Sequence, residues 1–166
     1  MKKVILTTII ALVTVVGAIA QETANVAVTA TVNAALQLTP SSVAFGAIQA
    51  NIASNIKANS NDGTTETNLG NGATAGALQI IGTTGVDVTV TWTNGTLSDG
   101  TNTATFTPVV YNDAAEVTSG NDVTLSGGDI TLGVGGNLTA IPDPGTYSTA
   151  TAGGSPVVFT VQYASI

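Results

Sequence analysis

Cysteine, histidine and arginine are absent from this 166-residue chain, and only 8% of its residues are charged. Without cysteine there are no disulfides, and without cysteine or histidine there is no zinc cluster, His-rich metal site or Cys-His dyad. The Ser-His-Asp route is closed for the same reason, and no arginine can clamp a phosphate. Aromatic residues are scarce, at three Phe, three Tyr and one Trp. Any core must therefore come mainly from Val, Ile, Leu and Ala. Thr, Asn, Gly and Ser supply most of the remainder, and this mixture of β-branched residues and turn formers predicts an all-β protein.

The start of the chain reads as a targeting segment. Lys2 and Lys3 precede an apolar run from Val4 to Val16, and Ala18-Ile19-Ala20 has the small-x-small form of a cleavage site. We expect residues 1–20 to be a cleaved signal peptide and residues 21–166 a single secreted domain. The run falls at the short end of the ~20 apolar residues that a spanning helix needs, which favours cleavage over anchoring. Once it is removed, Lys57 stands alone against ten acidic side chains. Nucleic acid and anionic membranes, which are bound through Lys and Arg clusters, are excluded as expected partners.

Period-two patterning organises the rest. From Asn25 to Leu38, the residues Val26, Val28, Ala30, Val32, Ala34, Leu36 and Leu38 share one parity, the longest such pattern in the chain. Pro40-Ser41-Ser42 is expected to end that strand, and Val43 to Ile48 to begin another. Residues 51–76 read as a polar surface connection with at most a short strand around Ile52 to Ala58. Further strands are expected at 77–81, 86–93, 103–111, 122–125, 129–134, 137–141 and 156–163, at the spacing of a sandwich or barrel. Asn94-Gly95 predicts a tight hairpin turn. Gly133-Val134-Gly135-Gly136-Asn137 lacks the Lys-Ser/Thr ending of a phosphate loop and predicts a bulge or turn between two strands.

Candidates for chemistry are few. Asp87, Asp99, Asp113, Glu116, Asp122, Asp129 and Asp143 could in principle supply a carboxylate pair for glycoside hydrolysis. Most lie in Asn/Gly/Ser-rich stretches, where Asp serves by bonding nearby amides, and the turn reading outweighs the catalytic one. Asn59-Ser60-Asn61-Asp62-Gly63 fails as an EF-hand loop because Ala58 would fall at a ligand position; a solvated turn is expected. Lys57 reads as a lone exposed lysine. Trp92 shares parity with Val86, Val88 and Val90 and is expected to point into the core rather than to stack a sugar. No catalytic, metal or cofactor-binding residue and no cofactor is assigned.

Several motifs together resemble a family. Leu36-x-Leu38, Val43-x-Phe45-Gly46-x-Ile48, the run Ile130 to Leu138, Pro144-Gly145-x-Tyr147 and the closing Phe159-Thr160-Val161-x-Tyr163 resemble the secreted bacterial domain of unknown function 4402. That family is similar in turn to chaperone-usher pilins and spore-coat-U-like proteins. The resemblance implies an immunoglobulin-like, pilin-like antiparallel β-sandwich on the bacterial surface or outside the cell. It implies a non-enzymatic structural subunit of a pilus- or fimbria-like filament or surface layer, which self-associates into a homopolymer. In pilins an alternating amino-terminal arm fills a neighbour's groove by β-augmentation. Residues 24–38 match such an arm, with Val157, Phe159, Val161 and Tyr163 on the closing strand. The chain departs from the pilin pattern in lacking a disulfide, and its arm runs almost directly into the Phe45-Gly46 segment. Residues 24–38 therefore have two placements, as a donor to a neighbour or as the first strand of their own sandwich. The alternative function is a monomeric secreted adhesin that recognises surface glycans.

Overall fold

The computed structural model describes residue 27 and residues 29–164. The chain divides after Thr31 into two units. The first contributes Ala27, Thr29, Ala30 and Thr31, none of them in a strand or helix. Two of the arm positions, Val26 and Val28, lie outside the described residues.

The second unit contains ten strands and, among the described residues, no helix. In chain order they are β1 Gln37–Ser41, β2 Ser54–Ile56, β3 Gly76–Ile81, β4 Asp87–Trp92, β5 Gly95–Ser98, β6 Thr103–Asn112, β7 Ala115–Val117, β8 Asp122–Thr124, β9 Asp129–Leu138 and β10 Phe159–Tyr163. The larger sheet runs β1-β3-β9-β6-β5, with β2 added to β9 and β7 to β6. The smaller runs β10-β4-β8. Every pairing is antiparallel, and the fold is an all-β sandwich.

Alternation along the strands places the core. Leu132, Val134 and Leu138 lie on one face of β9, and Ala104, Phe106 and Val110 on the matching face of β6. Val88 and Val90 of β4 and Val123 of β8 meet Leu78, Ile80, Val110 and Leu132 to form a first cluster between the sheets. Each fully buried Val or Leu contributes about 1.5–3 kcal/mol. A second cluster, with Phe45, Ile56, Ala104, Phe106, Leu138 and Ile141, lies at the other end of β6 and β9. Irregular segments around Val43, Ile48, Tyr147 and Val157 cover it in place of a second sheet.

Several expectations from sequence are corrected. Pro40 does not end the first strand but sits inside β1, opposite Leu78. An edge strand tolerates proline, because a missing amide on its open side costs no ladder bond. Residues 43–48 form no strand; only Ala44 pairs, with Thr74. Asn94-Gly95 is not a hairpin turn, because β4 belongs to the small sheet and β5 to the large one. The pair marks a crossing between sheets, and Gly95 enters the β6 ladder opposite Phe106. The glycine-rich run divides nothing: β9 is continuous from Asp129 to Leu138. Its glycines admit neighbouring backbone, since a Cβ at Gly135 would lie 2.3 Å from the Ala58 nitrogen and one at Gly136 2.2 Å from the Thr107 oxygen. Pro108 is accommodated in β6 because β5 pairs with residues 103–106 and β7 with 110–112, leaving a gap beside it.

Candidate functional site

The arm and the closing strand come together at a single junction. β10 is shorter than its pattern suggested: Val157 precedes it and packs on the second cluster, after the Ser155–Thr96 bridge. Phe159, Val161 and Tyr163 turn toward the first cluster and are half-buried, while Thr160 and Gln162 face solvent. Trp92 packs on the same cluster with its ring 5.8 Å from Phe159, as its parity implied.

Tyr163 fixes the start of the body. Its hydroxyl donates to the Ala34 carbonyl at 2.6 Å and accepts from the Thr83 amide at 2.8 Å. The Ala34 amide in turn donates to Thr83 Oγ1 at 2.7 Å. Both backbone groups of Ala34 are therefore held, and Leu36 packs onto the core beside it. Gly82 keeps the junction close, because a Cβ would sit 2.7 Å from the Tyr163 hydroxyl and 2.8 Å from Leu36 Cδ2 and would push those side-chain ends aside.

Beyond this junction, among the described residues, the sandwich is open on one side. Among the described residues, β1 pairs only with β3, and β10 only with β4. Leu38 stands opposite the fully buried Ile80, so it faces the interior, yet it is 41% exposed. The remaining arm residues are exposed and in no strand: Ala30, Ala34 and Val32, the last at 90%. The structure thus gathers Ala34, Leu36, Leu38, Phe159, Val161 and Tyr163 about one side and sets Val157 apart.

The second cluster carries a separate feature, an apolar groove of about 620 Å³. Val43, Phe45, Ile48, Leu97, Leu138 and Ile141 line it, with Asp143 and Tyr147 as its polar members. Phe45 stands edge-on to Phe106, with ring centroids 5.7 Å apart. Beside it, the amides of Asn102 and Thr101 donate to Asp99 and hold its pKa down to about 2. Asn102 Nδ2 joins Asp99 to Asp143, at 3.4 and 3.2 Å. The Tyr147 hydroxyl is buried without a hydrogen-bond partner. Burial, and then the nearby Asp99 carboxylate, raise its pKa. The sequence marks Tyr147 only as the end of the Pro144-Gly145-x-Tyr147 motif, and nothing in that motif signals the burial of its hydroxyl.

The Asn-rich loop is also different from expectation. Asp62 is 2% exposed rather than solvated, and its carboxylate accepts from the amides of Ala58 and Thr64 at 3.0 and 2.9 Å. Burial pushes its pKa up, but those amide bonds outweigh it and the net shift is downward. Asn55 Nδ2 donates to Asn137 Oδ1, and Asn68 Nδ2 to Ser54 Oγ. Lys57 is half-buried. The Asn55–Asn137 and Asn68–Ser54 side chains thus satisfy one another. No group of three or more His, Cys, Asp or Glu able to hold a metal ion occurs among the described residues. No helix among them is long and apolar enough to cross a membrane.

No protein-family model and no curated protein matches the chain.

Proposed function

We propose that the protein is a secreted structural subunit that assembles with copies of itself, by strand donation, into an extracellular filament or surface layer. The observation that carries this reading is the open side of the sandwich. Leu38 points inward but remains 41% exposed, and among the described residues both flanking strands have a free edge. The arm is uncharged and proline-free; its last two residues, Gln37 and Leu38, pair with β3, and its described residues before Gln37 are in no strand. An unpaired apolar edge is a liability in a monomer and a docking site in an assembly. The family resemblance points the same way and gives the sandwich its immunoglobulin-like, pilin-like reading. The role is noncatalytic, and the excess of carboxylates keeps free subunits apart before assembly.

The absence of native cysteine makes a direct test available. One preparation carries Ala30→Cys in the arm and the other Leu38→Cys on the open side. Mixing and mild oxidation should give a covalent dimer of the two variants, since disulfides form only when Cα atoms come within about 7 Å. A chain carrying both substitutions that closes on itself as a monomer, with no dimer in the mixture, would place the arm in its own sandwich and sink the proposal.

A further inference from the structure

The chain contains two Asn-Gly pairs, Asn71-Gly72 and Asn94-Gly95, and the fold treats their glycines in opposite ways. An asparagine before glycine is open to attack by the following backbone nitrogen on its own side-chain carbonyl carbon, since glycine has no Cβ in the way. The attack requires the backbone to swing, so a pair whose glycine is locked in a ladder reacts only when that region opens.

Asn71 and Gly72 are both exposed and occupy the central positions of a turn closed by the Ala73 amide donating to the Gly70 carbonyl at 3.1 Å. Gly72 has φ +83°, as a type II turn requires at its third residue, and no atom lies within 4 Å of where its Cβ would be. Asn94 is exposed and in no strand, but Gly95, whose nitrogen would attack, is buried, paired opposite Phe106 and covered by Ser155 and Val157; a Cβ there would lie 3.1 Å from Val157 Cγ2.

We propose that Asn71 is a site of spontaneous deamidation and that the fold protects Asn94. The Gly72 nitrogen bonds to Asn71 Cγ and loses its proton, while the Cγ–Nδ2 bond breaks and the side-chain nitrogen leaves as ammonia. Water then opens the cyclic imide at either carbonyl, leaving an aspartate or an isoaspartate. Both add a carboxylate to a chain already poor in cations. Isoaspartate also lengthens the backbone where the Asn71 oxygen abuts Gly46, at 2.7 Å from a Cβ built there, so the change pushes on the wall of the apolar groove.

The test is incubation of the purified protein at mildly alkaline pH, followed by chymotryptic mapping. Cleavage after Leu69, Leu78, Trp92 and Leu97 isolates peptides 70–78 and 93–97, each with one asparagine. In the folded protein, peptide 70–78 should exchange NH2 for OH and split into two species about tenfold or more faster than peptide 93–97. In urea the two should convert at similar rates. Equal rates in the folded protein, or a peptide 70–78 that converts only in urea, would overturn the proposal.

Discussion

At the scale of single residues, the acidic side chains organise loops, and two of them make the point measurable. Asp62 caps the amides of Ala58 and Thr64 from a buried position. Asp62→Ala leaves those donors without a partner and should cost about 1–3 kcal/mol in urea unfolding; a change within about 0.5 kcal/mol would show that water replaces the carboxylate. Asp99 acts through pH. Its folded pKa of about 2 lies below the ordinary carboxylate value, so the stability it adds is complete above about pH 4 and is lost as pH falls toward 2. Asp99→Asn should flatten the fall of the urea midpoint across that window, and an unchanged slope would remove Asp99 from the acid response. Composition foreshadowed these roles, since Asp in Asn/Gly-rich stretches bonds local amides. The burial of Asp62 had no such signal, because it depends on Gly133 and Gly135, remote in sequence, letting the Ala58 segment lie against β9.

At the scale of elements, period two located β3, β4, β6, β8 and β10 because their alternate residues meet a core. It failed where the partner sets the structure. Asn94-Gly95 has the local chemistry of a hairpin, but the strands on either side belong to different sheets. The β9 glycines resemble a turn, yet they are spaces for crossing backbone. Gly135→Ala places a methyl group 2.3 Å from a main-chain nitrogen that cannot rotate away. A destabilisation of about 1–3 kcal/mol is expected, with early hydrogen exchange at Ser54 to Ile56. Wild-type stability in that variant would show that β2 is free to move. The junction at Tyr163 is a smaller element of the same kind. Tyr163→Phe keeps the ring and removes the bonds to Ala34 and Thr83, for an expected loss of about 1 kcal/mol.

At the scale of the molecule, a seven-stranded sheet faces a three-stranded one, and the difference in size leaves both an open side and a groove covered by loops. The all-β class was legible in composition. The open side was not, because whether Leu38 is covered depends on the order of strands in space and not on its parity. Assembly by strand donation is the central claim, and Val32 isolates it: at 90% exposure it adds little to the fold but stands within the alternating arm. The most direct measurement is sedimentation of the processed chain against its Val32→Asp variant, with urea midpoints taken in parallel. The wild type should form large assemblies and Val32→Asp should remain monomeric, with stability within about 0.5 kcal/mol of wild type. Equal assembly by the variant, or a wild type that stays monomeric at every concentration, would contradict the account.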